Sequence, residues 1–416
     1  MPRMSRVRIV GGGLTGILAA FQAHHMGARD IELYERLDQL GGVALPEVRG
    51  GREMREGCIY FGPRGDPIRS LLEAHGAAFE DFDNRFGSMS QGPSGPVYIQ
   101  DFGGPALAAS ETNLTPLGGT SLADRLACYD DTLAFPLARY VRWHLGCNPA
   151  LLHGSAAVPL AINRVFPMGA ALDALSEVKL TDRLADELFG IPRSRWNYSS
   201  NVQASLPVGG FTALFRQCRA ALDSIGVRVR ERNLATPRTA LAEHSPGDLL
   251  VWAASPMPLF KAVGMETPKA PAKRFATYTF EVRWTGALPF YVQNFTVKGT
   301  CFRVYIYASA GSLLLTAECV VEDAGEALIE DIRTMLEGFE GKLTVGELLY
   351  RTVKPRWLYH SVDTIDRLAA LRSALAARMG TDFVAGAWEA YSKGEKFAEV
   401  NSALSTALGG RVVRAA

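Results

Sequence analysis

The chain has 416 residues, 48% of them hydrophobic and 21% charged, and 44 Lys and Arg nearly balance 43 Asp and Glu for a net charge of +1. That is length enough for two or three domains with sizeable cores, and the neutral balance excludes the strongly basic surfaces that hold nucleic acid or an anionic membrane. Six scattered cysteines (Cys58, Cys128, Cys147, Cys218, Cys301, Cys319) with no C-x-x-C pair point to reduced thiols, with neither a disulfide framework nor a zinc site.

The opening "MPRMSRVRIVGGG" passes almost at once into a strand, which leaves no room for a secretory leader, and no apolar run approaches the roughly 20 residues of a membrane span. A cytoplasmic protein is expected, with a small-molecule substrate, no nucleic acid or membrane as partner, and a homodimer among the assemblies allowed. His24, His25, His144 and His153 have no cysteine or carboxylate at ligand spacing, so no metal is expected.

Residues Arg6 to Val10 read as a buried parallel strand, Gly11-Gly12-Gly13 as a turn, and Leu14 to about Met26 as an Ala-rich helix. Gly11, Gly13 and Gly16 complete G-x-G-x-x-G, giving in turn a tight turn, close approach of backbone to a pyrophosphate, and close packing of helix on strand. The N–H groups of Leu14, Thr15 and Gly16 then face the phosphates. A second strand, "DIELYE", ends in Glu35, 19 residues after Gly16, where a carboxylate can accept hydrogen bonds from ribose hydroxyls. Together these features predict a bound dinucleotide.

Further along, "QGPSGP" and "DFGGPALAAS" mark a loop-rich region near residues 91 to 110, and residues about 105 to 200 are helical in pattern, as in "LADRLACYDDTLAFPLARYVRWHL". "PVGGFTALFRQCRAALDSIGVRVRERN" reads as a Gly-Gly turn, a helix and a strand over Val227 to Val229, and "GDLLVWAASPMPLF" as an apolar strand running into Ala253-Ala254. Residues 273 to 318 alternate β-branched and aromatic side chains and predict an antiparallel sheet. The chain closes with a strand, Gly386, a polar turn holding Tyr391, and a helix from about Lys396.

The tail of the first motif, Glu35 to Gly42, resembles the opening of FAD enzymes of the amine-oxidase and UDP-galactopyranose-mutase superfamily: an acidic residue, a short spacer and Gly-Gly. The resemblance implies FAD as the dinucleotide, with Gly41 and Gly42 letting the backbone pass close to the flavin. Leu37 stands where the family often has a basic residue, which here is Arg36. It also implies an α/β fold with a discontinuous Rossmann-like FAD-binding domain over residues 1–90, 205–270 and 366–416. A helical insert over 91–204 and an antiparallel β substrate domain over 271–365 complete it. Val229 is then expected beside the adenine, and Gly386 and Tyr391 beside the flavin.

Within the superfamily the chain is similar to UDP-galactopyranose mutase in collinear order, through "RWNYSSNVQASLPVGGFTALF", "VWAASPMPLF", "CFRVYIYAS" and "RWLYHSVDTIDRLAALRSAL". Such mutases use reduced FAD as a nucleophile toward a nucleotide sugar without net redox change, and need cations for the diphosphate, for which the planar fork of arginine suits. The resemblance implies Arg303 as the first such residue, Arg195 and Arg193 as further ones, and Tyr359 and His360 at the family's Tyr-Tyr pair. Two departures stand out. Ile59 and Gly62 replace both histidines of the family's loop beside the flavin, and "KLTDRLADELFG" lacks the Gln-Trp-Gly that helps hold uridine. An FAD-dependent oxidoreductase of the amine-oxidase type, acting on a small organic substrate, is therefore the alternative, and a flavin-binding structural or regulatory protein a third reading.

Overall fold

The computed structural model describes residues 6–57, 60–191, 203–355 and 359–415, with side chains to residue 409. Five short strands form one parallel sheet in the order Arg228–Arg230, Ile31–Tyr34, Val7–Val10, Leu249–Trp252, Phe383–Ala385. Val7, Ile9, Leu33, Leu249 and Val251 are fully buried, as strands covered on both faces must be. Helices Leu14–His25, Gly210–Ser224 and the closing Lys393–Ala415 cover one face. Helices Pro237–Ala242, Met257–Ala262 and Val362–Met379 cover the other. This is the α/β Rossmann-like unit expected, assembled from three separated stretches of chain.

A seven-stranded sheet stands apart from it, in the order Leu343–Pro355, Arg274–Trp284, Ser312–Cys319, Cys301–Ser309, Phe290–Asn294, Arg85–Gly92, Gly95–Gln100. All neighbours are antiparallel except Phe290–Asn294 with Arg85–Gly92. Ala310 and Gly311, with φ of 47° and 80°, make the two-residue link between the strands ending at Ser309 and beginning at Ser312, the left-handed pair that a tight hairpin needs. Against the seven-stranded sheet pack helices Leu122–Leu126, Asp131–Leu145, Leu172–Val178 and Arg183–Leu188, whose core takes in Phe275, Phe295, Phe302 and Tyr359.

Three local expectations shift. The stretch read as loop near 91 to 110 is mostly strand: Pro93 and Ser94 turn a hairpin closed at Gly92 and Gly95, and Ala106–Ala108 pairs with Phe166–Met168. Turn residues at a hairpin tip masked the alternation beside it. The strand placed over Val227 to Val229 runs Arg228–Arg230. The closing helix starts at Lys393, three residues early, because Ser392 and Glu395 each donate a backbone N–H to the other's side-chain oxygen across its first turn. No helix among the described residues is long and apolar enough to cross a membrane.

Candidate cofactor and active site

The strand Val7–Val10 ends at Gly11, whose φ is 104°. The helix Leu14–His25 then begins with no side-chain cap and no acidic residue in its first turn. A Cβ on Gly16 would lie 1.9 Å from the Gly11 carbonyl oxygen, and one on Gly11 would lie 2.8 Å from Ala254 N. Helix, turn and neighbouring strand thus meet at a separation only glycine permits, and the uncapped N–H groups of Leu14, Thr15 and Gly16 are left for an anion.

Glu35 is buried at the end of the adjacent strand, where its carboxylate oxygens accept from the N–H groups of Gly12 and Leu37, each at 2.8 Å. Each oxygen keeps a lone pair for a ribose hydroxyl. The second glycine turn is clasped to the first: Gly41 N–H donates to Gly12 O at 2.9 Å, and a Cβ on Gly42 would come within 3.0 Å of Gly13 Cα. A bare backbone cradle, an unshielded helix start and a fixed carboxylate fit a dinucleotide. Arg36 is exposed beside it, and Val229 is half-buried on the edge strand opposite Leu33. Gly386 lies where a Cβ would meet Trp252 O at 2.6 Å, across the carboxyl ends of the same strands.

From this unit the chain reaches the second sheet through Arg52–Met54. Glu53 N–H donates to Ser309 Oγ at 2.9 Å and Arg55 N–H to Tyr307 Oη at 2.8 Å. The Glu53 carboxylate accepts from the N–H groups of Phe211 and Thr212 at 3.1 and 2.8 Å, and a Cβ on Gly210 would lie 2.6 Å from it. One carboxylate therefore caps a helix of the dinucleotide unit from a strand tied to the other sheet. Because alternate residues share a face, Arg303, Tyr305, Tyr307 and Ser309 all look toward this junction.

That face is polar although buried. In register across it run Ser88, Gln293, Arg303, Glu318 and Thr277, and beside them Phe86, Tyr291, Tyr305, Thr316 and Thr279. Arg303 Nε donates to Glu318 Oε2 at 2.6 Å, and its Nη2 also contacts that oxygen. Gln293 donates to Tyr140 Oη at 2.9 Å. Tyr140 and Tyr359 hydroxyls flank the two ring nitrogens of His144 at 3.3 and 3.1 Å. Full burial, with the Lys273 and Arg303 charges, holds the His144 imidazole neutral far below its usual range. Ser88 Oγ and Thr277 Oγ1, at the two ends of the first row, are buried without a hydrogen-bond partner among the described residues.

Of the residues expected to act on substrate, Tyr359 thus joins His144, Tyr140 and Gln293 in one buried hydrogen-bonded chain, and Arg303 lies opposite Gln293 in the sheet. His360 lies elsewhere: its N–H donates to Tyr391 Oη at 2.8 Å and its ring tilts over the Tyr391 ring at 4.9 Å between centroids. Burial, then the nearby Lys396 charge, lowers the His360 pKa to about 4, and burial raises the Tyr391 hydroxyl to about 12. Arg193 and Arg195 lie outside the described residues, as does Ile59. Glu318, Gln293, Ser88, Thr277 and Arg55 escaped the sequence reading. Only strand register, which no spacing rule supplies, brings the first four into line with Arg303.

The family model described as an NAD(P)-binding Rossmann-like domain matches residues 9–74, the strand, glycine turn, helix and Glu35 described above. Among curated proteins none matches in sequence. The fold is similar to that of a reduced UDP-galactopyranose mutase, with a TM-score of 0.69 and 11% identity over 97% of this chain and 96% of that one. It is similar also to a cyclohexylamine oxidase from Brevibacterium oxydans, with a TM-score of 0.56 and 12% identity over 98% and 99% of the two chains. A fatty acid isomerase from P. acnes has a TM-score of 0.51 and 13% identity over 98% and 99%.

Proposed function

We propose that the chain holds FAD and is a flavoenzyme, and that it isomerises a nucleotide sugar in the manner of UDP-galactopyranose mutase. The glycine turns and Glu35 would hold the dinucleotide, and Gly41, Gly42 and Gly386 the backbone beside its flavin. Reduced flavin, when bound, supplies a nucleophile toward a sugar carbon. The observation that carries the substrate class is the buried polar face from Ser88 to Thr277. Burying so many hydroxyl, amide and charged groups is costly unless they are hydrogen-bonded, and a polyhydroxylated anionic ligand offers partners where an apolar one offers none. Arg303, set by Glu318, would orient the diphosphate, with Gln293 and Ser88 toward the sugar.

A second reading, an oxidoreductase of the amine-oxidase type, is favoured by the neighbouring row. Tyr305 and Tyr307 stack at 4.8 Å and Tyr60 meets Tyr305 edge-on at 6.0 Å, an aromatic wall suited to an organic amine. The test is to purify the protein anaerobically and incubate it, oxidised and dithionite-reduced, with a panel of nucleotide-diphosphate sugars. A ring-contracted product formed only by reduced enzyme is expected. Bleaching of oxidised flavin by an amine, with no sugar product in either state, would replace the first reading with the second.

A further inference from the structure

A cavity of about 110 Å³ opens beside the second glycine turn, lined among others by Gly42, Phe211, the cations Arg55 and Lys354 and the carboxylates Glu47 and Glu56. It is far smaller than the roughly 300 to 1,000 Å³ of a pocket for a whole organic ligand, so it suits one group of a larger molecule. The side chain of Arg55 is 10% exposed there, with its guanidinium 5.0 Å from the Tyr307 ring centroid and 5.6 Å from that of Phe211. Its Nε and Nη1 have no hydrogen-bond partner among the described residues.

The acids nearby do not account for it. Glu53 is nearest, at 3.6 Å from Nε, beyond hydrogen-bond reach, and its oxygens are taken by the helix start at Phe211 and Thr212. Glu56 pairs with Lys354 at 2.5 Å and Glu47 with Arg49 at 3.6 Å. Glu53 balances the Arg55 charge, but Arg55 Nε and Nη1 are left as donors that no acid takes up. Its position is also fixed from the backbone, since its N–H donates to Tyr307 Oη at 2.8 Å and its carbonyl accepts from Thr316 Oγ1 at 3.0 Å. A desolvated guanidinium with unspent donors is costly, and one preorganised between two rings is suited to receive two oxygens of a planar or tetrahedral anion.

We propose that Arg55 is a binding residue for an oxyanion, the carboxylate or phosphate of a substrate, with Lys354 as the second cation at the mouth of the cavity. Calling the anion's carrier a substrate rests on the flavoenzyme reading; the anion site does not.

The test is calorimetric titration of the oxidised holoprotein, at low ionic strength, with inorganic phosphate and separately with acetate. Saturable binding of at least one is expected, and the preferred anion names the chemistry of the carrier. Arg55→Gln should weaken that binding at least tenfold, Arg55→Lys less because it keeps charge and loses the fork, and Lys354→Gln least. Circular dichroism and flavin content check the fold, and Arg55→Lys carries the test if Arg55→Gln does not fold. Unchanged affinity in Arg55→Gln and Arg55→Lys, or no saturable binding of either anion by the wild type, would overturn the proposal and leave Arg55 as a packing cation. No turnover is read, so failure of the sugar experiment and failure here are separate results.

Discussion

The two sheets bury themselves by opposite means. The parallel sheet is mostly apolar, with its buried Arg8 and Glu32 spent on Ala240 O and on Tyr34 and Arg228, and its polar function sits at the strand ends, in Gly11, Gly16 and Glu35. The seven-stranded sheet has one apolar face, covered in part by Leu328, Ile332 and Met335, and one face carrying Ser88, Gln293, Arg303, Glu318 and Thr277 across five strands. A parallel sheet sandwiched by helices has only its ends to offer a ligand, whereas a sheet facing another unit can offer a whole surface. The first arrangement resides in a few consecutive residues, and the second in the register of distant ones.

Breaking the polar face should cost most. Glu318→Ala strands the Arg303 guanidinium, and about 3 to 5 kcal/mol of unfolding free energy should be lost in urea titration. The Arg303→Met/Glu318→Leu double variant should regain most of it; a double variant as unstable as the single one would mean that the row is not a separable ion pair.

The strand-end unit is broken by Gly16→Ala, whose Cβ would collide with the Gly11 carbonyl. Overpacking of about 1 to 3 kcal/mol is expected, together with loss of bound flavin absorbance, and retention of full flavin would show that the turn tolerates the methyl. Glu35→Gln should leave the fold alone and lower FAD affinity about tenfold or more, as expected for loss of charge-assisted hydrogen bonds of about 1.5 to 3 kcal/mol, read by fluorescence on reconstitution.

Between the two units, Tyr359→Phe removes the hydroxyl that meets His144 Nε2 and should cost about 1 to 3 kcal/mol, the penalty of an unsatisfied buried group. The smallest effect is a pH dependence. The unfolded chain protonates His360 near the ordinary imidazole value of about 6.5, the folded chain only near 4. Between those values the unfolded state binds more protons, so stability falls as pH drops from about 6.5 to 4. The midpoint in urea should shift less between pH 7 and 5 in His360→Gln than in the wild type; equal shifts would assign the dependence to other groups.

Much of the dinucleotide unit was legible because its constraints are local. Only glycine satisfies a φ of 104° at Gly11 or the contact at Gly16, and a strand buried on both faces is mostly apolar. The alternation of "CFRVYIYAS" likewise announced a strand with Arg303, Tyr305 and Tyr307 on one face. It did not announce that Arg303 would face Glu318 rather than solvent, nor that Tyr359 would reach His144 across 215 positions of sequence.

The sequence by itself determined the elements of the parallel sheet, the glycine cradle, the carboxylate after the second strand and the strands of the second sheet over residues 273 to 318, because backbone sterics and side-chain periodicity act over a few residues. Only the tertiary structure decided which polar side chains share a buried row, that Glu53 caps a helix 158 positions away, and that Arg55 is left with donors to spend. Those outcomes depend on strand register and on which charges find each other once water is excluded, and both are properties of the packed chain.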